Sequence, residues 1–212
     1  MNINRDLSES RRDYSKDKLL ESNISKNPIE QFDLWYQQAE LELKDEVNAV
    51  ALSTADLNGS VSSRMVLLKA FNENGFMFFS NYQSKKAEQI ANNPNGALLF
   101  FWPSLQRQIR IEGEIIKTTA EISDTYFYSR PKDSQISAII SSQSKIVSDR
   151  DFLEKCFEKE SKNPIHQRPE NWGGYLLFPR SIEFWQGRSN RLHDRILYSL
   201  CNEKWIINRL AP

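Results

Sequence analysis

Few residues in this sequence could build a metal site or a disulfide framework. The 212 residues include two cysteines, Cys156 and Cys201, and two histidines, His166 and His193. None of the four stands at the short, repeated spacing that zinc ligands require. Two isolated cysteines are typical of reduced thiols in the cytosol. We therefore expect no metal ion and a cytoplasmic protein whose thiols stay free.

Long apolar runs and a surplus of either charge are missing as well. The longest apolar run, residues 97–102, is far shorter than the roughly 20 residues that cross a bilayer. Residues 1–18 are polar and lack the apolar stretch of a signal peptide. With 28 basic and 28 acidic side chains the formal net charge is zero, so the net charge provides no long-range electrostatic attraction to nucleic acid. We expect neither a membrane nor nucleic acid as a partner.

Glycine is scarce too, with seven residues, and the chain contains no G-x-G-x-x-G motif and no P-loop. A bound phosphate would therefore have to be held by side chains. Three clusters offer suitable ones: residues 64–69 (RMVLLK), residues 84–86 (SKK), and the set Tyr126, Arg130, Ser134, Gln143 and Ser144.

The first two clusters are basic, and each also has an ordinary structural explanation. Arg64 and Lys69 are five residues apart in a predicted strand, so they face opposite sides unless a bulge turns one of them. They could bind two different anions, or they could simply be the solvated ends of an edge strand. Lys85 and Lys86 begin a predicted helix, where cations oppose the helix dipole unless an anion is bound. An exposed basic turn is the alternative.

The third cluster combines an arginine with hydroxyl groups. Arg, Tyr and Ser together suit a phosphate group, although ordinary surface helices carry them as well. Pro131 disfavours helical geometry at Arg130. We therefore expect Tyr126, Arg130 and Ser134 to converge across a helix–turn–helix rather than along one helix.

Secondary-structure signals predict an α+β fold, mainly antiparallel β. Asn27 and Pro28 begin a helix that runs to about Lys44, and the dipeptides at 58–59 and 74–75 (both NG) indicate hairpin turns. Further helices are predicted at 84–93, 120–129, 133–140 and 148–161. Strands are predicted at 48–54, 60–69, 76–80, 96–102, 107–117, 174–186, 191–200 and 204–209. Successive hairpins favour one barrel-like domain at 27–212, preceded by a mobile N-terminal arm at 1–26.

The C-terminal block has the most unusual charge pattern. In the predicted strand at 191–200, Arg191, His193 and Arg195 alternate onto one face. Cations on one strand face repel each other, which indicates a bound anionic or electron-rich ligand. Neighbouring carboxylates that balance the charge are the alternative.

Eight short blocks occur in the order of a known family. They are RMVLLK, NNP, RQIRIEG, YFYSRPKDSQI, SSQS, WGGY, EFWQGRSNRLHDR and the terminal NRLAP. From about residue 11 to residue 212 the chain resembles the pyridoxine/pyridoxamine 5′-phosphate oxidase family. The resemblance implies an FMN-binding split β-barrel with peripheral helices, which forms a homodimer with FMN at the subunit interface. It also implies that a segment at about 172–212 serves dimerisation and substrate binding.

The resemblance also implies a set of site residues. The flavin would be bound by Arg64, Met65, Val66, Leu67, Leu68, Lys69, Phe79, Ser80, Lys85, Lys86, Gln108, Gln143, Ser144, Trp185 and Arg195. The substrate phosphate would be bound by Lys69, Tyr126, Arg130 and Ser134, and the pyridine ring by Arg191, Leu192 and His193. Arg11, Arg12, Asp13 and Tyr14 would close over the ligand. Lys85 stands where many members have Arg, and lysine does not offer the bidentate phosphate contact of arginine. Phe79 stands where some members have Tyr, which removes a hydroxyl group but leaves the backbone and the ring.

The implied reaction is the oxidation of pyridoxine 5′-phosphate and pyridoxamine 5′-phosphate to pyridoxal 5′-phosphate in vitamin B6 biosynthesis or salvage. O2 would accept the electrons and leave as H2O2, and the amine would release ammonia. Arg191 and His193 are the expected catalytic residues, and either could assist deprotonation at C4′. Two alternatives stay open: a related oxidase that acts on another ring, as in phenazine assembly, and a non-catalytic flavin- or pyridoxal-phosphate-binding protein.

Overall fold

The computed structural model describes residues 13–44 and 46–212, which form five α-helices and nine β-strands. The helices are α1 (Pro28–Glu42), α2 (Lys85–Asn92), α3 (Ala120–Ser129), α4 (Lys132–Ile140) and α5 (Arg150–Ser161). The strands are β1 (Ala49–Ala55), β2 (Val61–Leu67), β3 (Ala70–Asn72), β4 (Gly75–Asn81), β5 (Asn95–Trp102), β6 (Arg107–Lys117), β7 (Trp172–Gln186), β8 (Asp194–Cys201) and β9 (Lys204–Arg209). Two short 3₁₀ turns lie at Glu21–Asn23 and Ser189–Arg191.

The strands belong to one sheet with the order β2-β1-β5-β6-β7-β4-β3, in which β8 also pairs with β7 and β9 pairs with β8. Adjacent strands run antiparallel, as in the hairpins β1–β2, β3–β4 and β8–β9. The predicted class, α+β with mainly antiparallel strands, is confirmed. Among the described residues, no helix is long and apolar enough to cross a membrane.

The chain divides into two compact units, which we describe separately. Of the described residues, unit 1 comprises 13–44, 46–47, 100–110 and 181–212, and unit 2 comprises 48–99 and 111–180. In unit 1, helix α1 starts where the sequence predicts: the Asn27 side chain accepts a hydrogen bond from the Ile29 amide at 2.9 Å, and Pro28 is the first helical residue. The helix buries aromatic rings, since Phe32 contacts Phe100 with ring centroids 5.3 Å apart.

Unit 2 contains hairpins and the helices α2 to α5. Strand β1 alternates buried and half-buried residues, which is the pattern of a sheet with one face on a core. Phe78 stacks on Tyr175 across the β4–β7 pair with centroids 5.4 Å apart. A second apolar cluster joins helices α3 and α4 to β7 through Phe127, Ala138 and Trp172.

Two boundaries differ from the sequence-based prediction at places that matter for the site. Strand β2 ends at Leu67, so Lys69 lies outside it, and the short strand β3 follows directly. Strand β8 begins only at Asp194, because Asn190 and Arg191 have φ values of 57° and 60° and close a 3₁₀ turn instead of extending. The prediction that Arg191, His193 and Arg195 share one strand face is therefore wrong. Alternation holds only for extended backbone, and of the three residues Arg195 alone lies in the strand.

The two hairpin glycines give a matched test of the fold. Both have positive φ, 81° at Gly59 and 141° at Gly75. A Cβ at Gly59 would meet nothing within 4 Å, whereas a Cβ at Gly75 would overlap the backbone of Leu177. We expect Gly59→Ala to cost about 1–2 kcal/mol of the free energy of unfolding through backbone strain. Gly75→Ala should cost about 1–3 kcal/mol more, because the overlap adds to the strain.

Urea denaturation of both variants at one protein concentration, followed by tryptophan fluorescence, measures the difference. Equal losses of stability would show that the β4–β7 contact at Gly75 is not as close as described.

Candidate functional site

A cation buried among neutral oxygens stands at the start of helix α2. The side chain of Lys86 is buried, and its Nζ donates hydrogen bonds to Ser80 Oγ (3.1 Å), Ser84 Oγ (3.2 Å) and Gln143 Oε1 (2.7 Å). Among the residues that the structure describes, no carboxylate forms an ion pair with it. A buried ammonium group with neutral partners alone is only partly compensated, which favours binding of an anion.

A second cation lies close enough to act on the first. Arg64 of β2 donates to the Leu52 carbonyl (3.1 Å), to Thr54 Oγ1 (2.8 Å) and to Ser62 Oγ (2.5 Å), which are again neutral acceptors. Burial, and then the charge of Arg64, lower the pKa of Lys86 to about 8. Burial also lowers the pKa of Arg64. We call Arg64 and Lys86, with their hydroxyl partners, the first cationic site.

The loop after helix α4 reaches the first cationic site. Ser144 Oγ accepts a hydrogen bond from the Lys85 amide at 3.2 Å, at the first residue of α2. Ser144 has φ 71°, in the left-handed region. With Gln143 bound to Lys86, the structure thus brings together Ser80, Lys85, Lys86, Gln143 and Ser144, which the resemblance assigns to the flavin.

A second arginine of unit 2 carries an unsatisfied donor. As Pro131 predicts, α3 ends at Ser129, and Arg130 takes an extended conformation before α4 begins. The Arg130 guanidinium lies 4.6 Å from the centroid of the Trp172 ring, and its Nη1 is buried without a hydrogen-bond partner among the described residues. Burial lowers the pKa of Arg130, and Tyr126 partly offsets this. A buried N–H without an acceptor costs stability, so this group suits a bound anion.

Aromatic rings hold the surroundings of Arg130 in place. Phe79 stacks on Tyr126 with ring centroids 3.9 Å apart, and the Tyr126 and Trp172 rings are nearly parallel at 6.2 Å. A cavity of about 630 Å³ is lined by Lys69, Phe79 and Tyr126, among others. We call Arg130, Tyr126, Trp172 and this cavity the second cationic site. Ser134 lies in the first turn of α4, half-buried, with its amide bonded to the Pro131 carbonyl.

The apolar residues of β2 and its end differ in exposure. Met65 is exposed on β2, Val66 and Leu67 are half-buried, and Leu68 is buried just beyond the strand. Lys69 is exposed, and its amide donates to the Met77 carbonyl. The sequence leaves open whether Arg64 and Lys69 face the same group. In the structure Arg64 belongs to the first cationic site, whereas Lys69 lines the cavity of the second.

In unit 1, an aromatic cluster surrounds His193. Its ring centroid lies 4.6 Å from that of Trp185 and 5.9 Å from that of Tyr14. The Arg188 amide donates to His193 Nδ1 at 3.1 Å, so the neutral ring carries its proton on Nε2. Burial, and then the charge of Arg191, lower the pKa of His193, which favours the neutral form. Leu192 and Arg191 are exposed beside it.

A buried carboxylate orients Arg195. Glu183 of β7 accepts hydrogen bonds from Arg195 Nε and from Arg110 Nη2, both at 2.7 Å, and its side chain is 3% exposed. Gln108 lies two residues before Arg110 on β6 and therefore on the same face.

Sequence reasoning missed Glu183, although one carboxylate inside the apolar block at 182–185 (IEFW) is a signal that could have found it. It also missed Trp172, the ring on which Arg130 lies.

Part of the predicted arm can be compared with the structure. Arg11 and Arg12 lie outside the described residues. Asp13 is exposed, and its carboxylate accepts the amide hydrogen bond of Tyr14 at 3.1 Å. The mobility of residues 1–26 stays a prediction.

Two family models match the chain. Residues 37–162 match the model described as pyridoxamine 5′-phosphate oxidase, and residues 172–212 match the pyridoxine 5′-phosphate oxidase C-terminal dimerisation region. Among curated relatives, a pyridoxine/pyridoxamine 5′-phosphate oxidase of Trichormus variabilis is 45% identical and covers 99% of this chain and 100% of its own length. One of Legionella pneumophila is 48% identical over 98% of each chain.

Solved structures show the same fold. PhzG of Burkholderia lata, in complex with tetrahydrophenazine-1-carboxylic acid, superposes with a TM-score of 0.87 at 26% identity and covers 93% of this chain and 100% of its own. A pyridoxamine 5′-phosphate oxidase-related, FMN-binding protein of Nostoc punctiforme has a TM-score of 0.74 at 17% identity, covers 89% and 100% of the two chains, and supports the fold alone. The predicted split β-barrel is thereby confirmed. Two family models match successive parts of the chain, and relatives are 45–48% identical to it over nearly its whole length. The chain therefore belongs to the pyridoxine/pyridoxamine 5′-phosphate oxidase family.

Proposed function

We propose that the protein is an FMN-dependent oxidase that converts pyridoxine 5′-phosphate and pyridoxamine 5′-phosphate to pyridoxal 5′-phosphate. O2 is the electron acceptor and leaves as H2O2, and the amine substrate also releases ammonia. The observation that carries the proposal is the presence of two separate cationic sites in unit 2: among the described residues, Lys86 donates its hydrogen bonds to neutral oxygens alone, and Arg130 Nη1 is buried without a partner. The reaction needs two phosphate sites, one for FMN and one for the substrate.

The first cationic site fits the flavin phosphate. Arg64 and Lys86 supply two positive charges, and their hydroxyl partners include Ser62, Ser80 and Ser84. Ser144 adds a hydroxyl group at the neighbouring Lys85 amide. A dianion between the two cations would remove the repulsion that lowers the pKa of Lys86. Bound FMN would supply the two-electron acceptor that no side chain provides. The resemblance also assigns Gln108, Trp185 and Arg195 to the flavin, and within unit 1 Glu183 holds Arg195.

The second cationic site fits the substrate phosphate. Arg130 offers an N–H that is buried and unsatisfied, and Trp172 fixes the plane of its guanidinium from one side. Lys69 adds a second charge from the cavity that Tyr126 also lines. Charge-assisted hydrogen bonds from such groups are roughly twice as strong as neutral ones, so they can anchor a small substrate.

His193 is proposed to orient the pyridine ring as a hydrogen-bond donor. Its Nδ1 already accepts the Arg188 amide, which leaves Nε2–H as the group available to a ligand. A neutral imidazole in this tautomer donates from Nε2 and does not accept a proton there. Of the two residues that the sequence offers as the base at C4′, this arrangement disfavours His193.

A homodimer is proposed as the functional assembly. The support is the match of residues 172–212 to a dimerisation region. The same residues include Trp185, His193 and Arg195, so the segment that pairs the subunits would also carry part of the proposed ligand contacts.

A related oxidase acting on a phenazine precursor is the second candidate, because PhzG is 26% identical and was solved with such a ligand. The buried and unsatisfied N–H of Arg130 favours a substrate with a phosphate group instead. Production of H2O2 from O2 with pyridoxine 5′-phosphate, compared with unphosphorylated pyridoxine and with a tetrahydrophenazine carboxylic acid, separates the two. It also excludes a non-catalytic carrier, which would give no peroxide with any of them.

Replacement of Arg130 tests the substrate site. Arg130→Ala removes a charge-assisted contact of roughly 1.5–3 kcal/mol, so KM for pyridoxine 5′-phosphate should rise at least ~10-fold. FMN content should stay the same, because the first cationic site is untouched. Lys132→Ala, which removes an exposed cation two residues away, is the control and should leave KM within about twofold. Loss of FMN with an unchanged KM would reverse the assignment of the two phosphates.

The pH dependence of FMN binding tests the first cationic site. Phosphate binding needs protonated Lys86, whose pKa in the free protein is about 8. The bound dianion raises that pKa, so binding takes up a proton above pH 8, and Kd should rise about tenfold per pH unit from pH 8 upward. Below pH 7 this dependence disappears, because Lys86 is already charged.

Fluorescence titration of the apoprotein with FMN between pH 6.5 and 9.5 measures the slope. Lys86→Met should weaken binding and abolish the slope, whereas Lys85→Met, at the exposed neighbouring position, should keep it. A slope that survives in Lys86→Met would remove Lys86 from the phosphate site.

A further inference from the structure

A short piece of the N-terminal region is held against unit 1 by one glutamine side chain. Gln106 Oε1 accepts hydrogen bonds from two consecutive amides, Ser15 N–H and Lys16 N–H, both at 3.0 Å. Ion pairs add to this attachment, from Asp17 to Arg107 at 2.7 Å and from Lys16 to Glu42 at 2.5 Å. We call residues 14–18 the strap.

Gln106 occupies a position that does not favour a side chain. Its φ is 56°, in the left-handed region, where a residue with a Cβ is strained and glycine is not. Its backbone carbonyl accepts the Gly187 amide at 2.8 Å, so the residue connects the strap to the end of β7. The two hydrogen bonds from the strap amides to Gln106 Oε1 explain why a glutamine stands at this strained position.

Gly187 leaves the space into which the strap fits. A Cβ at this position would lie 2.8 Å from Tyr14 Cγ and 2.9 Å from Tyr14 Cβ, closer than carbon atoms approach in proteins. Beside it, Ser189 Oγ donates to the Tyr14 carbonyl at 3.1 Å. The absence of a side chain at Gly187 leaves room for the Tyr14 side chain, and the Ser189 hydroxyl group binds the Tyr14 backbone.

The result of these contacts is the placement of Tyr14 on the aromatic cluster. Its ring meets Trp185 edge to face, with centroids 5.9 Å apart and an interplanar angle of 87°, and lies 5.9 Å from His193. The resemblance assigns a role to Tyr14 and His193, but none to Gln106, Gly187 or Ser189.

We infer that Gln106 and Gly187 are positioning residues, which dock the strap so that Tyr14 covers His193. The inference rests on the proposed function only for the role of His193; the docking itself stands on the contacts. A Tyr14 ring held in this position limits the freedom of the His193 ring and shields it from water.

Limited digestion with trypsin tests the docking without any enzymatic activity. Lys16 and Lys18 are cleavage sites inside the strap; their side chains are exposed, but trypsin must also bind the backbone around them, which requires the strap to detach. Gln106→Leu removes the acceptor at similar volume, and cleavage after these lysines should accelerate at least about fivefold. Gln106→Glu keeps an acceptor oxygen and should restore slow cleavage. Gln37→Leu, the same change at an exposed position of α1, is the control.

Gly187→Ala provides a second variant. Its Cβ displaces Tyr14 and also lies 3.1 Å from Gln106 Cβ, so cleavage should accelerate here too. Cleavage of both variants at the wild-type rate overturns the docking, since neither the acceptor nor the missing Cβ would then hold the strap.

A double-mutant comparison tests the positioning role in the holoenzyme. Gln106→Leu should raise KM and lower kcat/KM for pyridoxine 5′-phosphate at least about fivefold, with unchanged FMN content. In a Tyr14→Ala background it should change kcat/KM no further, because Gln106 acts through Tyr14. An effect that persists in that background, or faster cleavage with unaltered kcat/KM, overturns the positioning role. If the wild type produces no peroxide, the proposed function fails, and the cleavage rates still decide the docking.

Discussion

The charge on Lys86 is the constraint around which the first half of the proposed site is organised. A buried ammonium group normally acquires a carboxylate, and here it has two serines and a glutamine, with Arg64 near enough to lower its pKa to about 8. Such an arrangement costs the free protein stability, because two cations repel each other in a poorly solvated place. On the proposed function, a bound dianionic phosphate would offset this cost.

Strand β4 separates the two cationic sites. Ser80 accepts a hydrogen bond from Lys86, and the preceding residue, Phe79, stacks on Tyr126. Consecutive residues of a strand point to opposite faces, so the first cationic site lies on one face of β4 and the second on the other. Met77, two residues before Phe79, lines the same cavity as Phe79, which agrees with this alternation. On the proposed function, the two phosphates would therefore lie on opposite faces of this strand, a division that follows from the period of a regular strand.

The sequence predicts most elements to within two or three residues because their signals are local: Asn27 and Pro28 at a helix start, glycines at hairpin turns, and Pro131 between α3 and α4. Local signals also place Lys85 and Lys86 at the start of α2. They could not show that Gln143 reaches Lys86, or that Arg130 lies on Trp172, since these contacts join residues 57 and 42 positions apart. The family resemblance named several of these residues, but it gave no partner for Arg195, and the buried Glu183 emerged only from the fold.

The one clear error of pattern reasoning lies in the segment after β7, and its cause is physical. Alternating charge at 191–195 predicts a strand, yet two successive left-handed residues, Asn190 and Arg191, turn the chain before β8 begins. Left-handed conformations of residues other than glycine cost about 1–2 kcal/mol each and persist only when surrounding contacts impose them. Here the contacts are the turn between Ser189 and Leu192 and the bond from the Arg188 amide to His193. The turn therefore brings the Arg188 amide to His193 Nδ1, and this hydrogen bond leaves Nε2 as the protonated nitrogen of the neutral ring.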